Sequence, residues 1–167
     1  MIKRTAFLTI LLLGLATLAH AQRPDFNGTW RLDDRASSVL SGDGLEGLGN
    51  PAPPMLYITH RSNNQMTLSS RLLGAEPRVY LIGGDSWVPA PRPSTAKFLM
   101  SSRYRRLSVV SEANGEVEGE LVRVQEVLTM DPSGDSITLV VTTTRSWGPE
   151  TNRLVYNRVG GRAPSRR

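Results

Sequence analysis

Short runs in which apolar and polar residues alternate constrain the fold of this chain more than any other feature. The runs are separated by Gly, Pro, Asn and Asp, and no long stretch shows helical spacing. An alternation with a period of two is typical of half-buried β-strands. In the first run, Phe26, Gly28, Trp30 and Leu32 share one face. The pattern predicts an all-β protein made of antiparallel strands.

The number of runs and the length of their connections predict how the strands are arranged. We count about nine runs between residues 22 and 160, and all connections except the first are of hairpin length. A meander of this size is expected to close on itself, because closure removes exposed strand edges. We therefore predict one domain over 22–160, an up-and-down antiparallel β-barrel of about 8–10 strands.

Turn-forming residues predict where individual strands end. Asn114-Gly115 is a strong turn dipeptide, and 131–135 (DPSGD) joins the two longest runs. The segment SWVPAPRPS carries prolines at 89, 91 and 93, which excludes it from a central strand. We expect this segment to form a loop that holds Trp87.

The N-terminus has the three parts of an export signal. Lys3 and Arg4 precede an apolar stretch, and small residues at 19 and 21 mark a cleavage site. The apolar stretch is shorter than the about 20 residues that span a membrane. We predict that 1–21 is a cleaved signal peptide, that the mature chain begins at Gln22 and has no transmembrane segment, and that it is periplasmic or secreted.

Charge and composition exclude several classes of function. Removing Lys3 and Arg4 from the 20 basic residues leaves 18 against 15 acidic ones, and Arg162, Arg166 and Arg167 account for this excess. They lie in the tail 161–167, which we expect to be disordered, so the body is neutral and nucleic acid is not an expected partner.

The side chains available for catalysis are few. The chain has no cysteine, and His60 is the one histidine after the predicted cleavage site. No nucleophile-elbow, P-loop or dinucleotide-binding motif is present. We therefore predict no metal site, no cofactor and no catalytic residue, and leave enzymatic activity as a subordinate alternative.

The motif Gly28-Thr29-Trp30 on the first strand of such a meander resembles the lipocalin and calycin barrels. In that superfamily the Trp closes one end of the barrel, and an Arg of the last strand lies across it. The resemblance implies that Gly28, Trp30 and Arg158 form this closure. The chain also resembles exported bacterial lipocalin-like proteins of unknown function, through residues 25–38, 126–137 and 154–158.

A second set of residues is a candidate ligand site. If Met130 pairs with Ile137, then Glu126 and Arg145 share the apolar face that would line the barrel. On the preceding run, Arg103 and Arg105 share a face with Leu107 and Val109. These four charged side chains would hold the polar head of an amphipathic ligand; the alternative is structural ion pairs or strand-end arginines that reach solvent. The candidate ligand-binding residues are Arg103, Arg105, Glu126, Arg145 and Trp87, the last as a lid over the mouth or as an aromatic packed on the wall.

Three functions remain open at this point. The first is an exported binding protein that holds a small apolar or amphipathic molecule in the barrel. The second is a structural or interaction protein of the cell envelope with a filled barrel, which contacts partners through Leu45, Leu48 and Trp87. The third is an enzyme acting on a bound lipid-like substrate, with Glu126 as its acid or base. An empty interior would favour the first and a filled interior the second.

Overall fold

A computed structural model describes residues 23–39, 52–71, 76–89 and 97–160, which form ten β-strands. The strands are β1 (Gly28–Leu32), β2 (Met55–His60), β3 (Gln65–Ser69), β4 (Arg78–Leu81), β5 (Gly84–Pro89), β6 (Lys97–Arg105), β7 (Ser108–Val117), β8 (Glu120–Met130), β9 (Ser136–Arg145) and β10 (Gly148–Arg158). Within these ranges there is no helix, and hence none that is long and apolar enough to cross a membrane.

The strands form one antiparallel sheet that curls into a nearly closed barrel. Its order is β4-β3-β2-β1-β10-β9-β8-β7-β6-β5, so β1 pairs with both β2 and β10. The two ends of the sheet, β4 and β5, are consecutive in the chain but do not pair with each other. We call the gap between them the seam. The predicted all-β, up-and-down architecture is confirmed, with ten strands.

The longest hairpin has the predicted register. Met130 faces Ile137, and Glu126 faces Val141. In the connecting turn, Ser133 N donates to Asp131 Oδ2 (2.9 Å) and Asp135 N donates to Ser133 Oγ (3.1 Å). These side chains satisfy the turn backbone locally, which explains why this sequence ends both strands here.

The predicted turn at Asn114-Gly115 is wrong, because both residues lie inside β7. The turn lies at Glu118-Gly119, both with positive φ (53° and 82°), as a two-residue hairpin requires. Gly115 is needed for packing, since a Cβ there would lie 2.2 Å from the ring of Phe98. The missing side chain of Gly115 therefore leaves the space that the Phe98 ring occupies.

The prediction that Arg103 and Arg105 share the interior face with Val109 is also wrong. The chain turns at 106–107 between β6 and β7, and Arg106 has a φ of 57°. This turn breaks the alternation assumed across the run, so Ser102 faces inward while Arg103 and Arg105 are exposed on the outer face. The run YRRLSVVSE is therefore the end of β6 and the start of β7, and not one continuous strand.

Trp87 lies in β5, so the prediction that it lies in a loop is wrong. Pro89 is the last residue of this strand, where a missing N–H is tolerated. Ser86 and Val88 are buried, so Trp87 points outward, where it pairs with Leu99 of β6 and is 65% exposed.

Inward-facing side chains from the ten strands form one apolar cluster inside the barrel. Its largest fully buried members include Trp30, Tyr156, Phe26 and Met100. Burial of such side chains contributes about 1.5–3 kcal/mol each. The chain has no cysteine and therefore no disulfide, so burial of this core is the main favourable contribution to stability.

Candidate functional site

Gly28, Trp30 and Arg158 come together at one end of the barrel. Arg158 pairs with Trp30 in the β1–β10 ladder, and its guanidinium carbon lies 4.1 Å from the centre of the indole. The guanidinium donates to the carbonyls of Gly134 (2.8 Å), Asn27 (2.6 Å) and Asp25 (3.3 Å). One side chain therefore joins the last strand, the β8–β9 turn and the segment before β1.

Gly28 makes this arrangement possible. Its φ is 144°, and a Cβ there would lie 2.8 Å from Arg158 Nη1. The indole nitrogen of Trp30 donates to the carbonyl of Phe26 at 3.1 Å, so the buried ring has no unmet polar group. The stacked cation and its carbonyl partners close this end of the barrel.

A second contact crosses the same end. The hydroxyl of Tyr104, on β6, lies 2.5 Å from Nε2 of His60, on β2. Burial lowers the pKa of His60 below its usual value, so the ring is neutral at pH 7. This contact joins β2 to β6 across the end of the barrel.

Three polar side chains meet inside the apolar interior. Arg78 and Tyr80 extend inward from β4, and Glu126 extends inward from the middle of β8. The guanidinium of Arg78 donates to Glu126 Oε1, and the Tyr80 hydroxyl donates to Oε2 at 2.6 Å. Arg78 and Glu126 are each 3% exposed and Tyr80 is 2% exposed. We call these three residues the inner polar cluster.

The inner polar cluster is costly to bury and is held together by its own bonds. Removing one partner of such a pair typically costs about 3–5 kcal/mol, because the other charge stays buried alone. Burial raises the pKa of Tyr80 well above its usual value, so this hydroxyl remains a donor. Replacing a pair of this kind with apolar residues is often neutral or stabilising, so stability alone does not explain its presence.

A small cavity lies against the inner polar cluster. Its volume is about 10 Å³, and it is lined by Tyr80, Glu126, Ser111 and apolar side chains that include Leu68 and Leu139. The hydroxyl of Ser111 pairs with that of Ser102 at 2.8 Å. A cavity of this size has room for about one water molecule.

The other predicted ligand residues lie outside this cluster. Arg103 pairs with Glu112 on the outer face (3.3 Å), Arg105 is exposed beside the β6–β7 turn, and Trp87 is exposed on β5. The charged partner of Glu126 is Arg78, so the grouping of Glu126 with Arg103 and Arg105 is wrong. The prediction failed because the turn at 106–107 separates β6 from β7, so the alternation of inward and outward side chains does not continue across it.

Arg145 lies at the end of the barrel opposite Trp30. Its guanidinium is 3.8 Å from Glu120 and 5.4 Å from the ring centre of Trp147 in the β9–β10 turn. Trp147 is 66% exposed and Leu121, on the neighbouring β8, is 75% exposed. These contacts place Arg145 on the rim of the barrel.

The sequence interpretation did not single out Arg78 and Tyr80, although one signal was available. In the run PRVYLI, the two residues alternate with Val79 and share their face with Ile82. An arginine on the apolar face of a strand implies a buried partner. The identity of that partner, on a strand across the barrel, could not be deduced from alternation.

Comparisons with known proteins fit this geometry at the level of the fold. A zebrafish ileal bile acid-binding protein, solved in complex with cholic acid, superposes with a TM-score of 0.53. The match covers 80% of this chain and 98% of the other at 12% identity. The fold is that of a calycin β-barrel.

A second structure with the same barrel is fatty-acid-binding protein 1 of Echinococcus granulosus. It superposes with a TM-score of 0.50 and 14% identity, covering 81% of this chain and 98% of the other. No protein-family model and no curated protein matches the sequence. These similarities therefore show the barrel fold, at sequence identities that indicate no ligand for this chain.

Proposed function

We propose that this protein is an exported binding protein whose calycin barrel holds a small amphipathic molecule. The observation that carries the proposal is the coincidence of the cavity with the inner polar cluster. Ligand sites are typically apolar cavities with a few converging polar groups, and this cavity has that composition. The two barrels with the same fold bind cholic acid and, by name, fatty acids, which are small amphipathic molecules.

Binding in this barrel would require side chains to move. The cavity of about 10 Å³ admits a water molecule and not a lipid. Met66, which lines the cavity, is unbranched and can change rotamer at low cost. We propose that the polar group of the ligand meets Glu126 and that its apolar part displaces such side chains.

The small cavity also favours the second candidate, an envelope protein with a filled barrel. In that case the exposed apolar side chains of the outer wall would contact a partner. Trp87 and Leu99 form such a pair on β5 and β6, whereas Leu45 and Leu48 lie outside the described residues. A bound small molecule would favour the first candidate over this one.

Native mass spectrometry distinguishes the two candidates. The full chain is expressed with its own N-terminal segment, purified without detergent, and compared with its denatured mass. We expect a denatured mass that begins at Gln22 and an additional small molecule on the native protein. A native mass equal to that of the bare chain, together with no binding of added amphiphiles, would contradict the binding function. A mass that includes residues 1–21 would contradict export.

A further inference from the structure

The charge of the inner polar cluster bears on which polar group the barrel can accept. Among the residues that the structure describes as buried, the charged ones are Arg78 and Glu126. One is a cation and the other an anion, so together they are neutral. The interior thus supplies its own counter-ion to the arginine.

Two donors of the cluster are already used by Glu126. Glu126 accepts one hydrogen bond from the Arg78 guanidinium and one from the Tyr80 hydroxyl. The Glu126 carboxylate therefore occupies two of the groups that a ligand carboxylate would use. A second carboxylate would lie beside the first in an apolar interior, where repulsion between like charges is large.

The Glu126 carboxylate can still accept further hydrogen bonds. An ionised carboxylate can accept about four hydrogen bonds, and the two from Arg78 and Tyr80 leave capacity on Glu126. The hydroxyls of Ser111 and Ser102 lie on the adjacent strands and can donate or accept. A neutral hydroxyl group can donate to such acceptors without adding charge.

We propose that the barrel selects a neutral, hydroxyl-bearing amphiphile over the corresponding carboxylate, and that Glu126 determines this selectivity. The inference rests on the proposed function and names the chemical class of the ligand. Glu126 acts as an internal carboxylate that fills the position an acidic head group would take. The remaining acceptor capacity of Glu126 then favours an alcohol.

A matched pair of probes tests the proposal on the unmodified protein. Dodecan-1-ol and dodecanoate share an alkyl chain, and at about pH 8 the acid is ionised. Each is titrated by calorimetry into the mature protein after removal of bound lipid. We expect dodecan-1-ol to bind at least about tenfold more tightly than dodecanoate.

The variant Glu126→Gln tests the role assigned to this residue. Glutamine keeps the shape and an acceptor for Tyr80, but removes the negative charge that faces Arg78. We expect the affinity for dodecanoate to rise at least about tenfold, whereas dodecan-1-ol changes less. The control is Glu112→Gln, which makes the same chemical change on the outer face and should leave the ratio of the two affinities unchanged.

The outcomes separate this inference from the proposed function. Tighter binding of dodecanoate by the unmodified protein would overturn the selectivity and leave the binding function standing. An unchanged affinity ratio in Glu126→Gln would overturn the role of Glu126. If neither probe binds, the selectivity fails, and the native mass measurement decides separately whether the binding function stands. The comparison on the unmodified protein decides the selectivity even if the variant does not fold.

Discussion

At the scale of single residues, Gly115 shows how the interior overrides a local signal. Asn-Gly favours a tight turn wherever it occurs between strands. Here the ring of Phe98 occupies the space where a Cβ would be, and the chain continues as β7 up to Val117. The turn preference of the dipeptide is weaker than the packing of the ring.

Replacing Gly115 with alanine should therefore destabilise the protein. A methyl group 2.2 Å from the Phe98 ring forces the ring or the strand to move, and we expect a loss of about 1–3 kcal/mol in the free energy of unfolding. Urea denaturation measures this loss. The control is Gly84→Ala, where the nearest neighbour of the new Cβ is 3.8 Å away. Equal stability of the two variants would contradict the packing role.

The environment of a charged residue also depends on the tertiary structure more than on the local sequence, as the inner polar cluster shows. Arg78 and Arg103 both lie on alternating strands, yet one is buried and the other is on the outer face. The difference depends on which face of each strand points inward and, for Arg103, on the turn at 106–107 that follows it and changes the alternation. Residue type alone does not distinguish an internal arginine from an external one.

At the scale of elements, Arg158 connects parts of the barrel that the backbone ladder leaves independent. Its guanidinium binds carbonyls of the β8–β9 turn and of the segment before β1, while it stacks on Trp30. A planar group with five N–H donors can make these contacts together. A lysine ammonium has its three donors on one atom, so it does not match the spacing of the three Arg158 nitrogens that donate to these carbonyls.

Arg158→Lys should thus destabilise the closed end although the charge is kept. We expect a loss of about 1–3 kcal/mol in the free energy of unfolding, from the hydrogen bonds and the stacking contact. Urea denaturation followed by tryptophan fluorescence measures it. Arg153→Lys on the same strand is the control, because Arg153 is exposed and donates to the carbonyl of Ala36. The stacking role is refuted if both variants unfold at the same urea concentration.

At the scale of the whole molecule, the seam makes the sheet uneven in stability. Among the described strands, β8 and β9 are paired along both edges, whereas β4 and β5 are each paired along one edge. The Arg78–Glu126 pair links β4 to β8 across the interior, which compensates in part for the missing ladder. Local opening should begin where fewest backbone bonds must break.

Hydrogen exchange measures this difference. We expect backbone amides of β4 and β5 to exchange at least about 100-fold faster than those of β8 and β9, because no other described strand pairs with their seam-facing edges. Peptides from all four strands can be compared in one mass-spectrometric experiment on the unmodified protein. Equal protection of the four strands would mean that the seam is closed in solution.

The sequence by itself determined the fold class, most strand positions and the register of the β8–β9 hairpin. Alternation and turn residues reflect preferences that depend on a few neighbouring residues, so they can be recognised in the sequence. The glycine and tryptophan of β1 and the arginine of β10 could be grouped through a family resemblance. The tertiary structure alone decided that Glu126 meets Arg78 and Tyr80, that Arg103 and Arg105 face outward, and that Trp87 lies on a strand. Those facts depend on contacts between strands far apart in sequence, and on turns that change which face a residue occupies.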